Sequence, residues 1–454
     1  MTNISINKIE EAVYNLCVTA NTNYPDNLYN IVYDKFVHCS NITEKYKLAN
    51  ILLNAKLANE KRRPLCQDTG QVLVFIELGQ DCQIVDGSLK TAINKAVRRA
   101  YTDNYYRKSV VHNAIFNREN TLDNTPAIIY TDIVDGETIK IDLLVKGAGS
   151  ENYSTLKTFS PSAKNTELFE YISQVIEAAG EKSCPPYVIG IGAGGTIESA
   201  ALLSKKSFFT VDNSQEELTF IKELKAYLNK SFDNILDVKF LSTATHIASL
   251  PLAVTISCHS TRHASCILSS DNIVYTKNIA EFKEISCDSL NIPEIMTSDL
   301  EKMRLLKAGD KFLLTGDIYT ARDAAHRKMY NEFVSKGLLP CDLKNKIVFY
   351  AGPCPATPSE IIGPVGPTTS ARMDAYTDFM LKQGVFAFIG KGEREENAVS
   401  SIVDNNAKYF TLQGGIACLL ANCVKNNDVI AYDELGTEAI RKLYVEKLPL
   451  TVNI

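Results

Sequence analysis

The stretch KRRPLCQDTGQVLVFIELG, residues 61–79, constrains the fold of this chain more than any other. Apolar residues fill most of positions 71–79, which predicts a buried β-strand. Cys66, Gln67 and Asp68 stand immediately before that strand. A lone cysteine in such a position usually packs as a small hydrophobic residue, so the thiol alone does not establish a site.

Composition limits the class of protein. The chain has 454 residues, of which 45% are hydrophobic and 22% are charged, and this is typical of two or three globular domains. The formal net charge of -5 is not gathered into long runs of one sign, which argues against a nucleic-acid or membrane-surface partner. A small-molecule substrate is therefore favoured. The N-terminus lacks the pattern of a secretion signal, and we expect a cytoplasmic protein.

The 12 cysteines are scattered along the chain and form no CxxC pair. Thiols in the cytoplasm stay reduced, so a framework of disulfides is not expected. The missing CxxC pair argues against a zinc ribbon or a thioredoxin-like site. The cysteines are then either packing residues or ligands of a metal site that is assembled from distant positions.

Hydrophobic periodicity predicts a mixed α/β fold. Helices are predicted within 6–60 and over 88–105, and strands over 71–79, 346–351 and 385–390. An alternating pattern on either side of Asp135 and Gly136 predicts a β-hairpin. Weak periodicity from 270 to 292 indicates a linker between two domains. The predicted division is an N-terminal domain over 1–275, a linker over 276–290 and a smaller C-terminal domain over 291–454.

A glycine-rich segment invites a dinucleotide-binding interpretation. Gly190, Gly192 and Gly195 form GxGxxG after a short strand and before a helix, and Asp212 follows at a distance suited to a ribose-binding acid. An NAD-dependent oxidoreductase is therefore an alternative. The short strand and the absence of clear further βαβ units argue against it. Such a loop can also bind other anions, including carboxylates, through its N–H groups.

Residues 245–266 carry a second ambiguous pattern. His246, Cys258, His259, His263 and Cys266 resemble the ligand set of a zinc site, which would favour a zinc hydrolase. The simpler interpretation, which we prefer from this segment alone, is that Cys258 ends a buried strand and the histidines follow it into solvent.

The proline- and glycine-rich segment 350–380 contains Thr368, Thr369 and Ser370, with Arg372 at the start of a helix. Hydroxyl groups beside a guanidinium at a helix start favour a carboxylate site. Arg322 occupies a similar position, and Lys391 follows a predicted strand. Three such cations in one domain indicate a dicarboxylate ligand.

The motifs PLCQDTG, VKGAGSEN, CPPYVIGIGAGGT, THIASLPLAV, TGDIYTARDAAH, GPVGPTTSARMD and GTEAI occur in this order along nearly the whole chain. The chain thereby resembles the class I, iron–sulfur-dependent fumarate hydratases, in a fused single-chain form. The resemblance implies a helical and α/β N-terminal region that carries the cluster, and a smaller mixed α/β C-terminal domain, with the active site between them. It also implies a homodimer.

The resemblance further implies that Cys66, Cys184 and Cys258 bind a [4Fe–4S] cluster. Three thiolates leave one iron without a protein ligand, and an open iron can act as a Lewis acid on a substrate. Spacing alone would not have identified these ligands, since 118 and 74 residues separate them along the chain.

Carried onto this sequence, the resemblance makes Thr368 the catalytic base. Asp68, supported by His246, would protonate the departing hydroxyl. The substrate-binding residues implied in the same way are Gln67, Arg107, Gly149, Arg322, Arg372 and Lys391. Cys354 is expected to be a bystander, and His259, His263 and Cys266 receive no role.

The favoured reaction is the reversible hydration of fumarate to (S)-malate. An L-tartrate dehydratase or a mesaconate hydratase of the same superfamily is the nearest alternative, because these enzymes share the cluster and the carboxylate clamp. A non-enzymatic iron sensor and the NAD-dependent oxidoreductase remain as alternatives of other classes. The sensor would bind a cluster without turnover, and the oxidoreductase would require a nicotinamide nucleotide.

Overall fold

A computed structural model of the chain describes residues 2–209, 212–285 and 292–454. Residues 286–290 of the predicted linker, and residue 291, where the C-terminal domain was predicted to begin, lie outside the described residues. Contacts between Cα atoms divide the chain into two compact units. The first unit comprises Met1–His38, Ala58–Arg63 and Asp68–Lys283, and the second comprises Cys39–Leu57, Pro64–Gln67 and Glu284–Ile454.

The elements of the N-terminal part alternate between helices and strands, as the mixed α/β prediction requires. The helices are α1 (Ile6–Thr22), α2 (Asp26–His38), α3 (Ile42–Lys61), α4 (Leu89–Asp103), α5 (Ala148–Glu151), α6 (Asn165–Ala179), α7 (Ile197–Lys206) and α8 (Gln215–Leu228). The strands are β1 (Thr2–Ser5), β2 (Gln71–Gly79), β3 (Cys82–Val85), β4 (Ile128–Val134), β5 (Ile139–Lys146), β6 (Thr155–Phe159), β7 (Tyr187–Gly195), β8 (Ile235–Thr245), β9 (Leu250–Cys258), β10 (Arg262–Leu268) and β11 (Ile273–Tyr275).

The C-terminal part continues with the same alternation. Its helices are α9 (Leu300–Arg304), α10 (Asp323–Lys336), α11 (Thr377–Lys382), α12 (Glu396–Asp404) and α13 (Ala417–Cys423). Its strands are β12 (Glu294–Met296), β13 (Lys311–Thr320), β14 (Ile347–Phe349), β15 (Ala387–Gly390), β16 (Lys408–Thr411), β17 (Val424–Ala431) and β18 (Ile440–Val452). Short 3-10 helices span Gly180–Ser183, Ser370–Tyr376 and Asp433–Glu438. The predicted helices and strands are confirmed, and the mixed α/β class with them.

The first unit contains two larger sheets. One has the strand order β11-β10-β5-β2-β4 and the other has the order β6-β9-β7-β8. Helices α1 and α4 cover the first sheet with a core that includes Val74, Ile76 and Ile141, and α6 and α8 cover the second. Strand β2 is buried along most of its length, as its apolar sequence predicts.

The predicted hairpin around Asp135 and Gly136 is wrong. Strands β4 and β5 flank that turn, but β2 lies between them, parallel to β4 and antiparallel to β5. The turn instead wraps the end of β2, where the Gly79 N–H donates to the Thr138 carbonyl at 2.9 Å. Alternation in sequence shows that two strands share a buried face, but it does not show which strand is the neighbour.

The glycine-rich segment is not a phosphate-binding loop between a strand and a helix. Gly190, Gly192 and Gly195 all lie within β7. A Cβ atom at Gly192 would lie 2.1 Å from the Ala200 carbonyl oxygen, and one at Gly190 would lie 2.3 Å from the Ser204 carbonyl oxygen. These two glycines therefore permit the close approach of α7 to the sheet. Since β7 is also antiparallel to β9, the sheet differs from the parallel dinucleotide-binding fold.

The second unit is organised by a sheet whose pairing closes on itself. Strands β13, β14, β15 and β16 are parallel neighbours. Strand β18 pairs antiparallel with both β16 and β13, and Thr451 is opposite Lys311 on one side and Thr411 on the other. Within the described residues, no helix is long and apolar enough to cross a membrane.

The first turn of α10 is held by a buried histidine. His326 is fully buried, and its Nδ1 lies 2.8 Å from the Arg322 carbonyl oxygen. A carbonyl oxygen only accepts, so Nδ1 carries the proton. Burial lowers the pKa of His326 to about 4, although the Arg322 carbonyl and Asp323 oppose that shift.

Replacement of Gly192 by alanine should lower the free energy of unfolding by about 3 kcal/mol, because the new methyl group meets helix backbone that cannot move aside. Urea denaturation followed by circular dichroism measures the loss. Gly309→Ala is the control, since nothing lies within 4 Å of its Cβ position and only its positive φ is unfavourable. Equal losses in the two variants would contradict the packing role of Gly192.

His326 should make stability depend on pH in acid. Its folded pKa of about 4 lies below the ordinary value of 6.5, so the unfolded chain binds a proton first as the pH falls. The free energy of unfolding that neutral His326 contributes is therefore fully present above about pH 6.5. It is lost as the pH falls toward 4, at up to about 1.4 kcal/mol per pH unit. His326→Gln should show a correspondingly smaller pH dependence in urea denaturation. His112→Gln is the control for loss of an exposed imidazole, and an unchanged slope in His326→Gln would refute the assignment.

Candidate functional site

Two of the predicted cluster ligands lie near one end of the same sheet in the first unit. Cys258 is the last residue of β9 and pairs with Tyr187, near the start of β7. Cys184 precedes Tyr187 by three residues and has a positive φ of 59°, which is uncommon for a residue other than glycine. The pairing of β7 with β9 therefore brings together two sequence segments that are 74 residues apart.

Asp68 is held by backbone donors in the first unit. Its Oδ1 accepts the Gly70 N–H at 3.1 Å, and its Oδ2 accepts the Ala148 N–H at 3.0 Å. A Cβ atom at Gly147 would lie 3.0 Å from Oδ2, so a side chain there would crowd the carboxylate. The motif VKGAGSEN thus contributes Gly147 and Ala148 to Asp68, in addition to the predicted Gly149, which lies half-buried in α5.

Positive charge surrounds the same carboxylate. Burial alone would raise the pKa of Asp68, but the guanidinium groups of Arg107 and Arg262 and the two backbone donors outweigh it and lower the pKa. Arg262 is buried and its Nη1 donates to the Asp68 backbone carbonyl at 2.5 Å. The structure thus places Arg107 near Asp68 and adds Arg262, which sequence reasoning missed.

Lys146 is a second residue that sequence reasoning missed. It is buried, and its Nζ donates to the Ser150 Oγ at 2.6 Å and to the Ile256 carbonyl oxygen at 2.7 Å. Burial lowers its pKa to about 8, and the negative charges of Glu151 and Cys258 oppose that shift. The available signal was a lysine that ends the strand IKIDLLVK directly after the apolar run LLV.

A cavity of about 350 Å³ opens beside these groups within the first unit. Asp68, Ala148, Lys146, Glu151 and Lys205 are among the residues that line it, and Lys205 forms an ion pair with Glu151. Cationic and carboxylate side chains with backbone donors suit a small polar ligand.

His246 is exposed, and its Nδ1 accepts the Ala248 N–H at 3.1 Å. Within the part of the chain that the structure describes, it forms no hydrogen bond or ion pair with Asp68. His259 is buried, so the expectation that the histidines after Cys258 follow the strand into solvent is wrong for this residue. Its burial accords with the chain turning back at 259–261 into β10.

The zinc interpretation of segment 245–266 finds no convergent ligand set. Cys266 is fully buried in the core that α1 and α4 cover, whereas His246 is exposed. Among residues 2–209, 212–285 and 292–454, no three His, Cys, Asp or Glu side chains are grouped so that they could hold one metal ion.

In the second unit, Gln67 lies against the loop that carries Thr368. Its Nε2 donates to the Pro367 carbonyl at 3.3 Å, and a Cβ atom at Gly366 would lie 2.4 Å from its Oε1. The Cys66 thiol is 3.5 Å from the same Oε1. The Cys354 thiol donates to the Gln67 backbone carbonyl at 3.4 Å, so this cysteine contacts the predicted site.

Thr368 and Lys391 are neighbours through their backbones. The Lys391 N–H donates to the Thr368 carbonyl at 3.3 Å, and the Ser370 N–H donates to the Lys391 carbonyl at 3.0 Å. Thr368 is 9% exposed, which leaves its side chain largely shielded from water.

Strand register brings the positions of two distant cations to one edge of the sheet. Thr320 of β13 is opposite Phe349 of β14, which is opposite Ile389 of β15. Arg322 and Lys391 each follow this row by two residues. The carboxyl ends of parallel strands form one edge of a sheet, where ligands commonly bind in α/β proteins.

The two predicted arginines share a carboxylate. Arg372 is half-exposed and donates through Nε and Nη2 to the two oxygens of Asp323, at 2.9 and 2.7 Å. Arg322 is buried, and its Nη2 lies 3.6 Å from Asp323 and 3.2 Å from Glu438. The fork of Arg372 that was predicted to bind a substrate carboxylate therefore binds one from its own chain in this structure.

The three thiols suit an iron–sulfur cluster by their chemistry. Cys66 is buried, Cys184 and Cys258 are half-buried, and none of the described cysteines is in a disulfide. In a cluster each thiolate binds its own iron, so the three sulfurs need not converge on one point as they do around a single zinc ion.

Comparison with known proteins covers the described sites and almost the whole chain. The family model for fumarate hydratase matches residues 10–267, and the model for the fumarase C-terminus matches residues 268–454. The anaerobic class I fumarate hydratase of Escherichia coli strain K12 is 28% identical over 449 residues, which span 89% of this chain and 80% of that protein.

Two further relatives extend the comparison. Fumarate hydratase 2 of Leishmania major is 25% identical over 441 residues, which cover 89% of this chain and 78% of that protein. A Methanocaldococcus jannaschii protein with the provisional name L(+)-tartrate dehydratase subunit alpha is 31% identical over 277 residues, or 57% of this chain and 96% of its own length. From the two family matches, which together run from residue 10 to residue 454, the chain belongs to the class I fumarate hydratase family, whose members are hydro-lyases.

Proposed function

We propose that this protein catalyses the reversible hydration of fumarate to (S)-malate with a [4Fe–4S] cluster. Family membership along the chain supports the reaction class. The observation that carries the proposal is the edge of the second unit where the backbone of the buried Thr368 bonds that of Lys391, and where Gln67 bonds the carbonyl of the preceding Pro367. A shielded hydroxyl at the strand edge that also carries Arg322 and Lys391 fits a dicarboxylate substrate that must lose or gain a proton at carbon.

The proposed cluster ligands are Cys184 and Cys258 from the first unit and Cys66 from the second. When bound, the cluster would supply an iron without a protein ligand, which can act as a Lewis acid toward a hydroxyl and a carboxylate. All other steps are assigned to side chains of the protein.

We assign to Thr368 the transfer of the proton that is bound to the substrate carbon. In dehydration the deprotonated oxygen of Thr368 takes this proton and becomes a hydroxyl, and in hydration that hydroxyl returns the proton to carbon. A threonine hydroxyl is a weak base at its ordinary pKa, so it must be activated by its surroundings. We propose that the positive charge of Lys391, whose backbone is bonded to that of Thr368, favours the deprotonated hydroxyl.

We assign to Asp68 the proton transfer at the oxygen that leaves in dehydration and enters in hydration. In hydration its carboxylate accepts a proton from water, and in dehydration the same group returns the proton to the departing hydroxyl. The N–H groups of Gly70 and Ala148 hold both carboxylate oxygens and so orient the group. His246 is retained as its proposed support.

The substrate carboxylates are assigned to the charged and polar side chains around these two groups. In the first unit these are Arg107 and the backbone at Gly149. In the second unit they are Gln67, Arg322, Arg372 and Lys391. Because Arg372 holds Asp323 in the structure, binding through this arginine requires the substrate to compete with Asp323 or to share the guanidinium with it. The homodimer and the cytoplasmic location stay predictions.

The tartrate relative makes L-tartrate the second candidate substrate, because the match covers nearly all of that protein. Malate and tartrate differ by one hydroxyl group on carbon. Direct comparison of malate, tartrate and mesaconate in the same assay separates the candidates.

Each of Cys66→Ser, Cys184→Ser and Cys258→Ser should abolish the visible absorbance of the anaerobically reconstituted cluster, because a hydroxyl is a poor substitute for a thiolate ligand. Cys354→Ser is the matched control. It changes a buried thiol that contacts Gln67 and keeps a donor for that bond, so the cluster should form normally. Full absorbance in all three ligand variants would disprove the assignment.

The reconstituted wild-type protein should convert (S)-malate to fumarate without any nucleotide, measured as the rise of ultraviolet absorbance from the new double bond. Thr368→Ala should keep the cluster and lose turnover by a factor of roughly 100 or more, as expected for loss of a general base. Thr368→Ser restores a hydroxyl and should recover part of the rate. If Thr368→Ala converted malate as fast as the wild type, this residue would be excluded as the base. If the wild-type protein converted tartrate but not malate, the assigned substrate would change to tartrate.

A further inference from the structure

Behind the loop that carries Thr368 lies a buried tyrosine to which no role has yet been given. Tyr409 is on β16 and is fully buried. Its hydroxyl lies 2.6 Å from the Gly392 carbonyl oxygen and 2.8 Å from the Ser370 Oγ. Gly392 follows Lys391, and Ser370 is two residues after Thr368. The Tyr409 hydroxyl therefore contacts both the segment that carries Thr368 and the segment that carries Lys391.

The directions of these two bonds follow from counting protons. The Gly392 carbonyl can only accept, so it takes the single proton of the Tyr409 hydroxyl. The Ser370 hydroxyl then donates to the Tyr409 oxygen. Burial raises the pKa of Tyr409 to about 12, while the hydrogen bond from Ser370 and the charge of Arg394 oppose the shift. The phenol therefore stays protonated at neutral pH and keeps its donor.

Two other contacts show that the position of Ser370 is tightly set. Its backbone N–H donates to the Lys391 carbonyl at 3.0 Å. A Cβ atom at Gly390 would lie 1.9 Å from the Ser370 Oγ, so the chain needs glycine there to admit this hydroxyl. Tyr409, Ser370 and Gly390 thus form one packed contact, behind Thr368 and Lys391.

The ring of Tyr409 is itself held by a buried ion pair. The Arg394 guanidinium carbon lies 5.1 Å from the ring centroid, within range of a cation–π interaction. Arg394 Nε donates to Asp374 at 2.5 Å, and both side chains are almost completely buried. Asp374 belongs to the 3-10 helix Ser370–Tyr376, which begins at the residue that Tyr409 contacts. The ion pair therefore links the ring to the same helix that its hydroxyl contacts.

We propose that Tyr409 is a positioning residue that holds the Thr368 turn in register with Lys391 through the Gly392 carbonyl and the Ser370 hydroxyl. The proposal rests on the proposed function, because Thr368 and Lys391 matter as base and carboxylate ligand only in that reaction. Tyr409 is too deeply buried behind these loops to act on substrate itself.

Tyr409→Phe removes only the hydroxyl and keeps the packed ring. In the reconstituted holoenzyme, kcat for malate dehydration should decrease roughly 10- to 100-fold, as expected when a catalytic group is misplaced without being removed. KM should change less than kcat, since the proposed carboxylate ligands outside the Lys391 segment are not touched by the change. The absorbance of the cluster should equal that of the wild type.

Tyr350→Phe is the matched control. Tyr350 is equally buried and its ring also faces Arg394, at 5.4 Å from the guanidinium carbon, but among the described residues its hydroxyl is hydrogen-bonded to neither Ser370 nor Gly392. Its backbone carbonyl accepts the Thr368 N–H, a bond that phenylalanine preserves. This variant should keep wild-type kcat. Equal kcat in the Tyr409→Phe variant and the wild type would overturn the proposal.

A double-mutant cycle with Ser370→Ala tests whether Tyr409 acts through the Ser370 hydroxyl. If Tyr409 acts through Ser370, the double variant should lose little more kcat than the Tyr409→Phe variant alone, whereas independent effects would multiply. Multiplicative losses would refute the coupling through Ser370.

Hydrogen exchange separates this inference from the proposed reaction. Amides of peptides covering 366–372 and 388–394 should exchange faster in Tyr409→Phe than in Tyr350→Phe. If the wild-type protein does not convert malate, the proposed function fails, but this measurement still decides whether Tyr409 orders the two loops. Unchanged exchange in both peptides would overturn the positioning role.

Discussion

The parallel register of β13, β14 and β15 is the constraint on which the site in the second unit depends. Thr320, Phe349 and Ile389 stand in one row, so the chain leaves three neighbouring strands at the same edge. Arg322 and Lys391 follow that row by two residues, and the long segment after β14 returns to the same edge to place Thr368. Closure of the sheet by β18 fixes the row, because β18 pairs with both β13 and β16. A slip of one residue in any of these pairs would turn the following side chains to the opposite face.

Charge in both units is arranged around carboxylates. In the first unit, backbone donors and the guanidinium groups of Arg107 and Arg262 keep Asp68 ionised despite burial. In the second unit, Asp323 lies against Arg322 and Arg372. Of these cations Arg262 and Arg322 are buried, and a buried cation is costly unless it is paired. The same contacts therefore offset the cost of burying charge and fix the positions of residues in the candidate site.

Much of the fold could be predicted, because hydrophobic periodicity is local. The strand at β2 and the helices α1 and α4 follow directly from the spacing of apolar residues. Neighbour relations could not be predicted in this way, which is why the hairpin between β4 and β5 was wrong. The GxGxxG pattern failed for a related reason. Glycine serves close helix packing as well as phosphate binding, and the pattern alone does not distinguish the two uses. Arg262, Lys146 and Tyr409 were missed because each lies in a segment whose local pattern reads as strand.

The sequence by itself determined the class of the fold, the family through its ordered motifs, and the residue types that the proposed reaction needs. Only the tertiary structure decided which of these residues are neighbours. Gln67 contacts the loop at Gly366 and Pro367 across 300 residues of chain, and Tyr409 contacts Ser370 across 39. Such contacts depend on strand register and on the burial of whole faces. These are properties of the assembled sheets, and no local stretch of sequence encodes them.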